Sequence, residues 1–397
     1  MQTLINHILN DSEIELKNIL NYWTTQSIDE LNGGFVGQRD YYNNVVENAS
    51  KGIILNSRIL WTFSAVSNHY KVNNYATYCN RSYNYLKDFF KDERYGGVFW
   101  ELDATGKPIN KRKQVYAQAF MIYALSEYYQ FSKKEEVLNW AIEIYNLIEK
   151  HANDAVFNGY IEAFNEDWSS IEDMRLSDKD ANEAKTMNTH LHVLEAYTNL
   201  YKVYKNDALK RNLTNLIQLF FDKFLNVDTH FQLFFDEQWN AKGTIISYGH
   251  DIETAWLLIE AAKVVEDKKL IAKTESLAIT IAKTFIKEGI DIDGGVFYEF
   301  QPETNSLDSD KHWWPQSEAM VGLLYAYKIS NDEKYLKKTV EILSFIQNNI
   351  KDIKHGEWFW KVNKNGEPDR NQYKMGMWKA PYHNSRGFIM LQKLLTS

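Results

Sequence analysis

Four segments of this chain set histidine and glutamate at helical spacing, with arginine and tryptophan close by. In Asn188-Thr189-His190-Leu191-His192-Val193-Leu194-Glu195, positions three and four apart share a helix face. Asn188, His192 and Glu195 therefore line up, and His190 turns away. In Ser247-Tyr248-Gly249-His250-Asp251-Ile252-Glu253-Thr254-Ala255-Trp256, His250 and Glu253 line up likewise, a spacing that lets the carboxylate fix the imidazole tautomer and raise its basicity. The third segment is His312-Trp313-Trp314-Pro315-Gln316-Ser317-Glu318. The fourth is Trp378-Lys379-Ala380-Pro381-Tyr382-His383-Asn384-Ser385-Arg386. Arg58 is a lone cation in Asn56-Ser57-Arg58-Ile59-Leu60-Trp61, and Tyr116 and Gln118 open another helical run. Imidazoles give and take protons near neutral pH, and fixed cationic donors hold charge that develops on oxygen. The chemistry indicated is general acid–base catalysis.

Taken singly, each group has an ordinary structural role: a hydrogen-bonded core histidine, a buried ion pair, a packed tryptophan pair. Their recurrence at equivalent places is what points to a site. Other chemistries fit poorly. His190 and His192 are split across a helix, no HExxH occurs, and Cys79 is the sole cysteine, so a zinc site is not indicated. There is no GxSxG nucleophile elbow, and the paired glycines precede aromatic strands rather than helices, so no phosphate loop is present.

The elements that must position these groups form a repeat. Glycine followed by aromatics recurs at Gly33-Gly34-Phe35, Gly96-Gly97-Val98-Phe99-Trp100, Gly159-Tyr160, Gly294-Gly295-Val296-Phe297-Tyr298 and Gly356-Glu357-Trp358, with a copy lacking glycine at Gln232-Leu233-Phe234-Phe235. From Gly34 through Gly97, Gly159, Gln232 and Gly295 to Gly356 the steps are 63, 62, 73, 63 and 61 residues. Between markers, runs such as Tyr116 to Tyr129 and Leu270 to Ile286 carry apolar residues at helical spacing. Each unit thus holds a short aromatic strand or hairpin, a loop carrying the prolines, and two helices. An open solenoid needs polar terminal caps, which the first and last units lack. The prediction is an all-α, single-domain (α/α)6 barrel over residues 1–397, with short β-hairpins and the site at one mouth.

Composition agrees with a soluble enzyme. The net charge of -8 speaks against nucleic acid or an anionic membrane as partner, and no apolar run reaches the length of a membrane span. Met1 to Trp23 carries Asp11, Glu13 and Glu15 within an amphipathic pattern and is no secretory signal. The expected protein is cytoplasmic, and monomeric because the ring buries its own core.

At the segments Ser57 to Trp61, Met187 to Tyr197, Ser247 to Glu253, Trp313 to Ala319 and Trp378 to Asn384, the chain resembles the cellobiose 2-epimerase family, within the N-acylglucosamine 2-epimerase superfamily. The resemblance spans essentially the whole chain. It implies a barrel enzyme, free of metal and nucleotide, that inverts C2 of the reducing-end sugar of a β-1,4-linked disaccharide. Cellobiose to glucosyl-mannose and mannobiose to mannosyl-glucose are the implied reactions. His250 and His383 would be the acid–base pair, with Glu253 orienting His250. Arg58, Asn188 and His192 would surround O1 and O2, with the Tyr116 hydroxyl nearby. Trp313, Trp314 and Trp378 would stack on sugar, and Trp256 and Glu318 would line the pocket. His190 lies outside the pattern, and Pro315 stands where relatives often carry a small apolar residue. Rival readings are a mannose epimerase or isomerase, an inverting glycosidase using Glu253 and Glu318, which leaves the histidines idle, and a non-catalytic sugar-binding ring.

Overall fold

The computed structural model describes residues 1–396, and twelve α-helices occur among them: α1 (Gln2–Gln26), α2 (Ile53–Tyr70), α3 (Ala76–Tyr85), α4 (Val115–Ser132), α5 (Glu135–His151), α6 (Met187–Val203), α7 (Asp207–Leu219), α8 (Tyr248–Val265), α9 (Lys268–Glu288), α10 (Trp313–Ser330), α11 (Glu333–Phe345) and α12 (Tyr382–Thr396). Even-numbered helices form an inner ring and odd-numbered ones an outer ring, and α12 packs back against α1 and α2 to close the circle. The sequence sorts them. Outer helix α7 buries one stripe, with Leu209, Leu213, Leu216 and Ile217 inside. Inner helix α2 is buried without a break from Ile53 to Ser67, because neighbours cover every side. The fold is the predicted (α/α)6 barrel. No helix among the described residues is long and apolar enough to cross a membrane.

Connections from inner to outer helices are short, whereas those from outer to inner helices are long and gather at the end where the inner helices begin. The predicted hairpins are there, as in the Glu101–Leu102 pairing with Pro108–Asn110. A second set of pairings, between units, joins the ring. The two residues before α2, α4, α6, α8 and α10 each pair antiparallel with a short strand at or just after the aromatic marker of the following unit, for example Lys113–Gln114 with Ala163–Phe164. An Arg39 to Met375 bridge joins the last unit to the first. These ladders fix the starts of five of the six inner helices at one level.

Polar clamps reinforce that level. The Gln118 amide exchanges two hydrogen bonds with the backbone of Val98, and Gln316 does the same with Val296. Gly97 is required beside this clamp: its φ is +72°, and an added Cβ would stand 2.6 Å from Gln118 Oε1. His190 occupies the corresponding place in α6, its Nε2 accepting from the Tyr160 N–H and its Nδ1 engaging the Thr186 carbonyl. Pro315 lies within the first turn of α10, not in the loop before it as the sequence pattern suggested, where its missing N–H costs no helical bond.

Candidate active site

Because the inner helices start together, residues one to two turns into each converge on the barrel axis. Arg386 of α12 sits at the centre. Its Nη2 donates to Glu253 Oε1 of α8 at 2.5 Å and to Glu318 Oε1 of α10 at 2.7 Å, and its Nη1 bonds Glu195 of α6. The guanidinium lies over the rings of Tyr382 and Trp256, at 4.3 and 4.8 Å. Three buried carboxylates thus face one arginine. Burial opposes their ionisation, and they divide accordingly. At Glu195, Arg386, His192 and Tyr382 together outweigh burial and carry the carboxyl down to about 2. Glu253, buried and beside Glu318, is pushed up to about 7. Burial raises Glu318 as well.

Two of these carboxylates hold imidazoles. Glu318 Oε1 stands 2.7 Å from His383 Nδ1, and Glu195 Oε2 stands 3.0 Å from His192 Nδ1. The His192 pair is the one expected from spacing along α6. The third imidazole departs from expectation. His250 Nδ1 engages Ser247 Oγ at 2.9 Å, while Glu253 turns inward to Arg386 and lies 3.9 Å from His383 Nδ1. The predicted orientation of His250 by Glu253 is therefore corrected: a hydroxyl just before α8 holds His250, because the stronger charge of Arg386 draws the carboxylate to the axis. Protein crowded around its ring, with His192 near, pushes His250 down to about 3. Burial and the adjacent Arg58 hold His383 well below its ordinary value. Both are neutral near pH 7, each with a lone pair to offer.

Above this layer, Arg58 donates from Nη2 to the Tyr116 hydroxyl at 2.9 Å and from Nη1 to the Trp378 carbonyl at 3.1 Å, with its guanidinium 4.4 Å from the Phe120 ring centre. Its Nε, and Oδ1 of Asn188, are buried atoms with no hydrogen-bond partner among the described residues, so both are free for an incoming oxygen or hydroxyl. The tryptophans split into two pairs. Trp314 and Trp378 are partly exposed at the mouth; Trp314 lies 4.7 Å from His250 and 5.6 Å from His383, and Trp378 lies 6.1 Å from Tyr116, ring centre to ring centre. Trp313 and Trp256 are only 2% and 3% exposed. Trp313 is covered by the Lys379 ammonium at 4.7 Å, and Trp256 donates its indole N–H to Glu318 Oε2 at 3.2 Å. Each braces a charged group of the site, and the Trp313 ring also lies 5.4 Å from that of His383.

Arg386, Tyr382 and Ser247 were not singled out by the sequence reading. Arg386 stands three residues after His383, so helix-face arithmetic on the last segment would have found it. Atoms of Glu253, Glu318 and His383 lie within 4.8 Å of one another, a spacing a cation can use. Arg386 already supplies that positive charge. The same spacing is short of the ~6.5–9.5 Å between the carboxyls of an inverting glycosidase.

The N-acylglucosamine 2-epimerase family model matches residues 33–385. The chain belongs to that family. A cellobiose 2-epimerase of Bacteroides fragilis is 46% identical over 374 residues, covering 94% of this chain and 95% of the relative. One of Dictyoglomus turgidum is 38% identical, covering 93% of each. The solved structure of cellobiose 2-epimerase from Bacillus thermoamylovorans superposes with a TM-score of 0.92 at 38% identity, covering 99% of this chain and 100% of that one. In this member of the epimerase family, two neutral imidazoles, an unpartnered arginine nitrogen, an unpartnered amide oxygen and two partly exposed indoles come from the inner helices and the segments just before them.

Proposed function

We propose that the chain is a carbohydrate 2-epimerase acting on β-1,4-linked disaccharides, with cellobiose to glucosyl-mannose as its reaction. The observation that carries this is the pair His250 and His383, held from different helices against one tryptophan, Trp314, with a fixed partner on each Nδ1. A cyclic sugar must first open: O5 takes a proton, the O1 hydroxyl loses one, and the C1–O5 bond breaks to leave an aldehyde at C1. One imidazole then removes the C2 proton. The C2–H electrons form a C1=C2 bond and the charge passes to O1. The other imidazole, protonated when it took the O1 hydroxyl proton on ring opening, donates that proton to the opposite face of C2, and the aldehyde re-forms. As the ring closes the first imidazole returns its proton to O1, and the O5 proton drawn from solvent on opening goes back to solvent, so the pair is reset. Imidazoles that are neutral at pH 7 are ready to accept the O1 and C2 protons of this cycle, and no metal or nucleotide is needed.

Arg58, with His192, Asn188 and Tyr116, supplies the donors for negative charge on O1 and O2; losing one such donor costs about 10²–10³ in rate. Trp314 and Trp378 offer indole faces to the sugar rings. A proton relayed to C1 instead of C2 would give a ketose, so slow isomerisation accompanies epimerisation. The enzyme works as a monomer, since the closed ring buries its own core, and in the cytoplasm, where a lone buried thiol, Cys79, stays reduced. The test is incubation with cellobiose in D2O, followed by proton NMR and chromatography. Glucosyl-mannose carrying deuterium at C2, with no glucose released, is the expected result. Free glucose would replace the assignment with hydrolysis, and exchange with mannose alone would correct the substrate.

A further inference from the structure

The six units are not fastened alike. In five, a buried lysine reaches back to an aspartate in the turn that closes the unit's outer helix. The pairs are Lys51–Asp29, Lys113–Asp92, Lys185–Asp154 and Lys311–Asp291, at 2.5 to 2.7 Å, together with Lys374–Asp352. The fourth unit carries Asn226 and Ile246 at the corresponding places, so both charges are absent. His230 takes over. Its Nδ1 stands 2.7 Å from Asp251 Oδ2 and its Nε2 stands 3.3 Å from Glu288 Oε2 at the end of α9. Asp251 directly follows His250 in the first turn of α8, and its other oxygen accepts the Phe231 N–H at 2.9 Å. The helix that bears His250 is thus fastened by an imidazole where the other five units use an ammonium.

We infer that His230 is a positioning residue for His250: the Asp251–His230–Glu288 chain fixes the first turn of α8, and does so fully only while the imidazole is protonated. The inference rests on the role proposed for His250. A neutral His230 can still donate from Nδ1 to Asp251, but it then turns an Nε2 lone pair toward the Glu288 carboxylate. The groups facing His230 are Asp251 from α8, Glu288 from α9, and the Tyr248 ring at 6.4 Å, with the Lys287 ammonium 3.1 Å from the far oxygen of Glu288. Burial disfavours the imidazolium, yet the two carboxylates outweigh it and raise His230 above its ordinary value. A raised histidine contributes its full stability below the unfolded value near 6.5, and that contribution is lost as pH climbs through the folded value.

The experiment compares wild type with His230→Gln and with the triple variant His230→Gln, Asn226→Asp, Ile246→Lys, which writes the other units' pair into the fourth. Melting temperature without substrate and kcat and KM for epimerisation are followed from about pH 6 to about pH 9. His230→Gln is expected to lower kcat about tenfold near pH 6.5, within the ~100-fold that a 1 Å misplacement can cost, with KM changed by less than about twofold. Its melting temperature falls below wild type near pH 6 and meets it near pH 9, and the triple variant recovers both quantities without that pH dependence. A His230→Gln enzyme with wild-type kcat and a pH-independent melting difference overturns the inference. So does an NMR titration of wild type that places the His230 imidazole at or below its ordinary value, a readout that stands if no variant folds. If wild type turns over no disaccharide, the epimerase reading has failed, while the melting and titration data still decide the role of His230.

Discussion

His383 Nδ1 lies 2.7 Å from Glu318 Oε1, and that oxygen also accepts from Arg386, so one carboxylate both fixes an imidazole and anchors the ionic centre of the barrel. The hydrogen bond settles the tautomer. With Nδ1–H donated to Glu318, the lone pair of His383 sits on Nε2.

Glu318→Gln keeps the shape and removes the charge. The amide can present its NH2 to Nδ1, which selects the other tautomer and silences Nε2 as a base. We expect kcat to fall by at least ~10²-fold, as when the carboxylate partner of a catalytic histidine is made an amide. Steady-state kinetics on cellobiose checks this, and a variant within about threefold of wild type would exclude His383 Nε2 as a proton carrier.

The ring was legible in the sequence because its signal is local and repeated. Six aromatic markers about 62 residues apart, with helical runs between them, admit few other architectures. The His192–Glu195 pair was legible for the same reason, both residues lying on one turn of α6. The same rule misled at His250 and Glu253, three apart on α8, because the rule is blind to Arg386, which arrives from α12 and claims the carboxylate. The His383–Glu318 bond joins α12 to α10 and leaves no trace in spacing. Nor does composition separate Trp314 at the mouth from Trp313 behind it. Those distinctions depend on which face of α10 meets a neighbour.

Arg386 is the counter-charge for three buried carboxylates, and its removal leaves them facing one another. Arg386→Met is expected to destabilise the fold by about 3–5 kcal/mol, the usual cost of breaking a buried ion pair from one side. The loss should be pH-dependent. Glu195 is depressed in the folded protein to about 2, so its stabilising contribution is complete above the ordinary carboxylate value of 4.5 and disappears as pH falls through about 2. Urea unfolding of both proteins should therefore show a wide gap near neutral pH that narrows on acidification. A constant gap would mean that Arg386 stabilises by packing on Trp256 and Tyr382.

The two neighbouring tryptophans of α10 give opposite expectations. Trp314→Ala removes an exposed face beside both imidazoles, so KM should rise and kcat should fall with little change in melting temperature. Trp313→Ala empties a buried site under Lys379, so stability should drop by about 3–5 kcal/mol, the typical cost of such a truncation. Measuring both quantities for both variants separates the roles. Equal effects on KM would make Trp313 a sugar-facing residue as well.

Glu253 gives the last expectation, through linkage. Its carboxyl is raised from 4.5 to about 7 by burial and by Glu318, and Oε2 is a buried oxygen without a hydrogen-bond partner among the described residues. An acid raised on folding binds more protons in the native state than in the unfolded state, so stability must fall as pH rises from about 4.5 to about 7 and level off above. At about 1.4 kcal/mol per pKa unit, the drop is on the order of 3 kcal/mol. Glu253→Gln mimics the protonated acid and has nothing to titrate, so its unfolding free energy should lack that decline and exceed wild type near pH 8. A variant that keeps the wild-type slope would show that the proton resides elsewhere among Glu195, Glu318 and the histidines they hold.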